Sequence, residues 1–179
     1  MKTFSSILLA CAIAIPSLAD DAKTNAAPEK SSTAGKAKQP ALTIPASAGE
    51  ISAPLVLTNG YISQPDKTEL PDGGKAIYKF TVTNDGDYVI QATVNAPGED
   101  SNSLYVNVDA PPQDPAMIWD INVTSGFEER TVSWRGKGTA EQDEIVPKRF
   151  KLSAGAHKLI VVGRESAQLK SISIRLGAD

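Results

Sequence analysis

From Leu42 onward the apolar residues recur with a period of two, in short runs separated by turn-forming clusters. A period of two puts alternate side chains on opposite faces of a pleated strand, so this stretch encodes half-buried β-strands and no amphipathic helix. Tyr78, Phe80 and Val82 form one inward row, and Tyr88, Ile90, Ala92 and Val94 the next. Between them lies Asn84-Asp85-Gly86-Asp87, whose Asp-Gly pair tolerates positive φ and predicts a tight hairpin. Leu104, Val106 and Val108 alternate with Tyr105, Asn107 and Asp109 until Pro111 and Pro112 end the strand. Val132 and Trp134 predict a short strand. Phe150 and Leu152 predict the next, Ser153-Ala154-Gly155-Ala156 a turn, and Lys158 to Val162 and Ile172 to Leu176 the last two. Strand-like runs spaced roughly 8 to 15 residues apart, with no helical spacing between them, predict an all-β fold. Its expected architecture is a two-sheet antiparallel jelly-roll β-sandwich.

The residues before this region read differently. Lys2, the apolar run from Phe4 to Ile15 and Ser17-Leu18-Ala19 have the order of a cleavable signal peptide, predicting residues 1–19 as leader and Asp20 as the first mature residue. An alternative takes Leu8-Leu9-Ala10-Cys11 as a lipoprotein processing site, although the apolar run before Cys11 is only about seven residues. Residues 20–41 contain almost no large apolar side chains and cannot offset their ordering entropy, so they are expected to be a disordered linker. The sandwich domain then occupies residues 42–179. A secreted or periplasmic location follows from the leader. No later stretch has the run of about 20 apolar residues that a membrane-spanning helix needs.

Several function classes are excluded or weakened. Cys11 is the only cysteine, so a chain cleaved after Ala19 has no disulfide and no thiol nucleophile. The formal charge of −3 becomes about −4 once Lys2 is removed, and no basic cluster interleaved with aromatics occurs, which argues against nucleic acid as a partner. His157 is the only histidine. It rules out a multi-imidazole metal centre and is expected to be a turn-flanking surface residue. Glu128-Glu129, Glu141, Asp143 and Glu144 lie in polar loop-like stretches, and nothing in their spacing builds a glycosidase acid pair. We therefore expect no catalytic residues, no metal and no cofactor.

Binding chemistry is better represented. Trp119 and Trp134 have indole faces suited to stacking on the CH face of a pyranose, although both are equally suited to a core. Tyr105 alternates with an inward row and should project from the opposite sheet face, whereas Tyr61 gives no such indication. Arg164-Glu165, between the last two strands, offers planar hydrogen bonds to vicinal hydroxyls or else an ion pair that closes the loop. Asn102, beside Ser103 at a strand start, offers an amide. The candidate ligand-binding set is thus Asn102, Tyr105, Trp119, Trp134, Arg164 and Glu165.

The succession Ala76-x-Tyr78-x-Phe80, Gly86-Asp87-Tyr88, Asn102-Ser103, Val106-x-Val108-Asp109, Trp134, Phe150-x-Leu152-Ser153-Ala154-Gly155-x-His157 and Arg164-Glu165 resembles the galactose-binding-like jelly-roll modules. By this pattern it is similar to carbohydrate-binding module families 35 and 6. The resemblance spans about 44–176. It implies a non-catalytic domain that binds a polysaccharide or other glycan, with the loop end gathering Asn102, Trp134, Arg164 and Glu165. It also implies a structural calcium held by acids of an N-terminal Glu-x-Glu and of a Leu-Asp before the last strand. Here Pro45 and Ser47 stand at the first pair and Lys170 follows Leu169, so the calcium site is expected to be absent or weakened. The alternative to a glycan binder is a structural domain on the same sandwich that meets a cell-envelope protein. Exposed tryptophan would favour the glycan, and two buried tryptophans the protein partner.

Overall fold

The computed structural model describes residues 41–135 and 146–177. The expected leader, almost all of the linker and the acids Glu141, Asp143 and Glu144 lie outside these described residues. Twelve strands follow in order: β1 (Leu42–Pro45), β2 (Glu50–Ser52), β3 (Val56–Thr58), β4 (Tyr61–Ser63), β5 (Lys75–Val82), β6 (Gly86–Asn95), β7 (Ser103–Val108), β8 (Ile118–Asp120), β9 (Glu128–Thr131), β10 (Arg149–Leu152), β11 (Gly155–Gly163) and β12 (Gln168–Leu176). They form two antiparallel sheets. One has the order β2-β5-β11-β7-β8. The other has the order β10-β6-β12-β4-β3, with β1 beside β12 and β9 beside β6. None of the described residues forms a helix long and apolar enough to cross a membrane.

The alternating rows read from the sequence are the walls of the core. Tyr78, Phe80 and Val82 of β5, Leu104 and Val106 of β7, and Leu159 and Val161 of β11 project from the five-stranded sheet. Tyr88, Ile90, Ala92 and Val94 of β6 and Ile172 and Ile174 of β12 meet them from the other. Burial of this kind contributes about 25 cal/mol per Å² of apolar surface removed from water.

Two local expectations are corrected. The Asn84–Asp87 turn does not close a hairpin, because β5 pairs with β2 and β11 whereas β6 pairs with β9, β10 and β12. The chain reverses there and changes sheets, which lets the two apolar rows face each other across the core. A Cβ at Gly86 would stand 2.4 Å from Leu176 Cδ1, so a larger residue at this crossing would turn the Leu176 side chain aside. Val132 and Trp134, in turn, lie just beyond a strand. The ladder to β6 runs through Glu128–Thr131 instead.

His157 is half-buried rather than a loose surface residue. Asp109, at φ +61°, accepts the Lys158 amide on Oδ1 at 2.9 Å and lies 2.7 Å from His157 Nδ1 through Oδ2, while His157 Nε2 is 2.8 Å from the Ser153 carbonyl. Both ring nitrogens thus face acceptors, which only the imidazolium satisfies fully. Partial burial by itself would lower the pKa, but the Ser153 carbonyl and the Asp109 carboxylate outweigh it and hold the pKa above its ordinary value. A raised folded-state pKa contributes stability that is complete below the unfolded value of 6.5 and is lost as pH rises through the folded value. The melting temperature is therefore expected to fall across this window in the wild type. In His157→Gln the fall should be shallower, which thermal unfolding as a function of pH checks.

Candidate functional site

Of the six sequence-nominated residues, Asn102, Arg164 and Glu165 form one cluster, and most of the six are committed to the fold. Glu165, 4% exposed, follows β11 and accepts four donors. Its Oε2 takes Ser103 Oγ at 2.6 Å and the Asn102 amide at 3.2 Å, and its Oε1 takes Arg164 Nη1 at 2.7 Å and Lys67 Nζ at 3.0 Å. Arg164 Nη1 also donates to Ser103 Oγ at 2.6 Å. Burial alone would raise the Glu165 pKa, but Ser103, Lys67, Arg164 and Asn102 reverse this and hold it below the ordinary carboxylate value. Of the two readings of Arg164-Glu165, the geometry gives the loop-closing pair. Asn102 is drawn into the same cluster and also donates through Nδ2 to Glu99 Oε2 at 3.2 Å.

Tyr105 projects from the outer face of the five-stranded sheet as its alternation requires, yet it is 0% exposed. The segment from Gln64 to Gly74 crosses this face. Leu70 packs on the small cluster of Tyr105, Ile118, Ile160 and Val162, and Tyr105 Oη donates to Glu69 Oε2 at 2.9 Å. Burial, with that hydrogen bond, pushes the phenol up to about 12. The buried Gln64 amide staples the segment, donating to the Asp66 carbonyl and Thr68 Oγ1 and accepting from the Gly74 amide. Trp119 is 1% exposed and belongs to the main core. The half-buried Trp134 donates through Nε1 to the Val106 carbonyl at 2.9 Å and meets Phe150 edge-on. The Lys148 ammonium stands 4.0 Å from its ring centroid. None of these partners belongs to the Glu165 cluster, so among the described residues no contact joins Trp134 to Asn102, Arg164 and Glu165.

An exposed aromatic surface lies instead on the outer face of the seven-stranded sheet. Tyr61 opens β4 and alternates with the buried Ile62, which turns its ring outward. Phe127, 38% exposed, precedes β9, and the two ring centroids are 5.6 Å apart at 49°. Lys170 lies where the β12 register to β6 shifts between Leu169 and Ser171, and its Nζ is 5.4 Å from the Phe127 centroid.

Beside this pair runs a band of amides and hydroxyls. Because Ile90, Ala92 and Val94 enter the core, Gln91, Thr93 and Asn95 face outward, and each bonds to a neighbouring strand. Gln91 Nε2 donates to Thr131 Oγ1 at 3.2 Å, Ser171 Oγ to Thr93 Oγ1 at 3.1 Å, and Asn95 Nδ2 to Gln168 Oε1 at 3.0 Å. The buried Thr124 hydroxyl accepts the Ala96 amide and donates to Asn95 Oδ1, fixing the orientation of the Asn95 amide. From Gln91 to Asn95 the band is about 13 Å long, at about 3.3 Å per strand residue. Thr131 also borders a cleft of about 230 Å³ lined by Asp120, Asn122, Glu129 and Arg130.

No family model matches the sequence, and no curated protein matches it either. Solved structures do. A family 35 carbohydrate-binding module from Clostridium thermocellum superposes with a TM-score of 0.55 at 10% identity, over 78% of this chain and 100% of that one. The C-terminal family 6 module of a marine laminarinase from Zobellia galactanivorans gives 0.52 at 14% identity, over 76% and 99%. The chain has the fold of the carbohydrate-binding modules. The Podospora anserina β-(1,4)-mannanase that couples a family 26 hydrolase to a family 35 module gives 0.52 at 12% identity, and this chain spans 28% of its length. At such identities the likeness is one of fold.

Where the module fold implies acids that hold calcium, this chain has Pro45, Ser47 and Lys170, a set that lacks carboxylates. Lys170 directs its ammonium over Phe127, and Pro45 pairs with Ser171 in the β1–β12 ladder. An ammonium and a pyrrolidine ring offer no side-chain oxygen, and Ser47 offers only a neutral hydroxyl in place of a carboxylate. The sequence does not announce the aromatic pair, because Tyr61 is an isolated ring in its segment and Phe127 stands in a polar stretch. The available signals were Asn59-Gly60 directly before Tyr61 and a lone phenylalanine in Ser125-Gly126-Phe127-Glu128-Glu129.

Proposed function

We propose that the protein is a secreted or periplasmic, non-catalytic module that binds a polysaccharide along the outer face of its seven-stranded sheet. The pair of half-buried Tyr61 and exposed Phe127 carries this reading, because it sets aromatic surface at the end of a hydroxyl and amide band. In this role one pyranose stacks on the pair, gaining the contact of CH groups with a π-face. The next residues lie along Gln168, Asn95, Thr93 and Ser171. With Oε1 engaged by Asn95, Gln168 has its Nε2 to offer an oxygen acceptor of the ligand. Binding without bond cleavage agrees with the solved structures matched over their full length, which are binding modules by name. The leader read from residues 1–19 supports export.

Phe127→Ala is the direct test. Truncating an aromatic anchor costs about 1–3 kcal/mol, so affinity for the bound glycan should fall about 5- to 150-fold. The melting temperature should change little, because the ring is partly in water. Affinity electrophoresis across a polysaccharide panel reads the first quantity and calorimetry the second. Unchanged retardation in a folded variant removes Phe127 from the site. The alternative of a protein partner draws on the tryptophans, since Trp119 is buried and the half-buried Trp134 carries the Lys148 ammonium over its ring. It predicts no retardation of the wild type by any polysaccharide.

A further inference from the structure

The loop joining β3 to β4 holds the only Asn-Gly pair in the sequence. Asn59 has φ +47° and Gly60 φ +80°, and Thr58 faces Tyr61 across them, so the two form the two-residue turn of a hairpin. Both are exposed, and nothing lies within 4 Å of the position a Cβ on Gly60 would take. The turn closes through Thr58 and Tyr61, which leaves the Gly60 amide outside the ladder. β3 has three residues, all exposed, and pairs only with β4. An edge hairpin with so little burial opens at low free-energy cost.

We propose that Asn59 is a site of spontaneous modification, at which its side-chain amide converts to a carboxylate through a cyclic imide. The deprotonated Gly60 nitrogen attacks Asn59 Cγ. The new N–Cγ bond closes a five-membered succinimide, the Cγ–Nδ2 bond breaks, and ammonia leaves with the proton that the Gly60 nitrogen gave up. Water then adds to one of the two imide carbonyls and reopens the ring as aspartate or isoaspartate, so the net change is ammonia lost and water gained. No oxidant or cofactor takes part. Fraying of the short β3 edge supplies the extended backbone that ring closure requires, so the opening of this hairpin sets the rate. Isoaspartate inserts one extra carbon into the main chain. A two-residue turn cannot absorb it and keep its register, so Tyr61 loses its pairing with Thr58.

The modification stands independently of the glycan reading; only its effect on binding rests on that reading. The full-length protein is aged in mildly alkaline buffer at body temperature. Peptide mapping follows the exchange of NH3 for H2O, and an isoaspartyl methyltransferase label follows the isomer. Conversion at Asn59 is expected at least about tenfold faster than at any other asparagine, each of which precedes a residue whose side chain obstructs ring closure. Asn59→Gly, which suits positive φ, should abolish the signal at this turn. Gly60→Ala, whose Cβ meets open space, should slow it. Amide exchange at Tyr61 should quicken in the aged wild type and not in Asn59→Gly. An Asn59 that converts no faster than the other asparagines overturns the proposal, and unchanged Tyr61 exchange after conversion overturns the register argument. Conversion with quickened exchange but unchanged glycan affinity leaves the modification standing and removes Tyr61 from the binding surface.

Discussion

Replacing Glu165 by alanine is expected to destabilise the protein by about 3–5 kcal/mol, the range for removing one partner of a buried ion pair. The carboxylate accepts from Ser103, Asn102, Arg164 and Lys67, and three of those donors lose a charged partner inside the fold, while Lys67 can turn to solvent. Arg164 is left worst, since its side chain is 12% exposed and its Nε already lacks a hydrogen-bond partner among the described residues. Glu165→Gln should cost less, because one amide oxygen still accepts. The two variants also separate in acid. A carboxylate whose folded pKa lies below its unfolded value contributes stability above the unfolded pKa of 4.5, and loses it as pH falls through the folded value. Wild-type stability should therefore drop more steeply in that window than that of Glu165→Gln. Denaturant unfolding at a series of acidic pH values reads both effects, and identical slopes would remove Glu165 as the acid-sensitive lock.

Trp119→Ala is the second large effect, at about 3–5 kcal/mol, because truncating a buried tryptophan forfeits its transfer free energy and leaves a cavity that close-packed neighbours fill only in part. Trp119 stands on the edge strand β8 opposite Leu104, and its ring sits in the main core between the sheets. Chemical denaturation measures the loss. Where the variant remains folded, glycan affinity per folded molecule should equal that of the wild type. Fully retained stability would show that the indole is not packed as described. Lost affinity with retained stability would return Trp119 to the binding surface.

These two residues show what the sequence could and could not disclose. Alternation in Tyr78-x-Phe80-x-Val82 and in Tyr88-x-Ile90-x-Ala92-x-Val94 fixes which side chains enter the core, because a pleated strand has only two faces. It does not say which strands pair. The reversal at Asn84–Asp87 is therefore legible while its change of sheet is not, and the two-residue hairpin at Asn59-Gly60 joins strands too short to show alternation. Tyr105 was correctly directed away from the core. Its cover, Leu70 and Glu69, comes from a segment some 35 residues away in sequence, and no local pattern reports that contact. Aromatic and ionic side chains serve cores and ligands equally well, so Trp119, Trp134 and Glu165 could be nominated from type but assigned only from burial and partners. The hydroxyl and amide band was present in the outward positions of β6 and β12. Read as solvated strand faces, those positions gave no sign that they would converge beside Tyr61 and Phe127.

The most direct test of the account is to map a bound polysaccharide onto the protein by amide and side-chain chemical-shift perturbation during titration. A glycan on this sheet face gives saturable shifts at Tyr61, Phe127, Gln168, Lys170 and Asn95, with Tyr105, Trp119 and Glu165 unmoved. Shifts centred on Asn102, Trp134 and Arg164, or no saturable shift with any glycan, would contradict it.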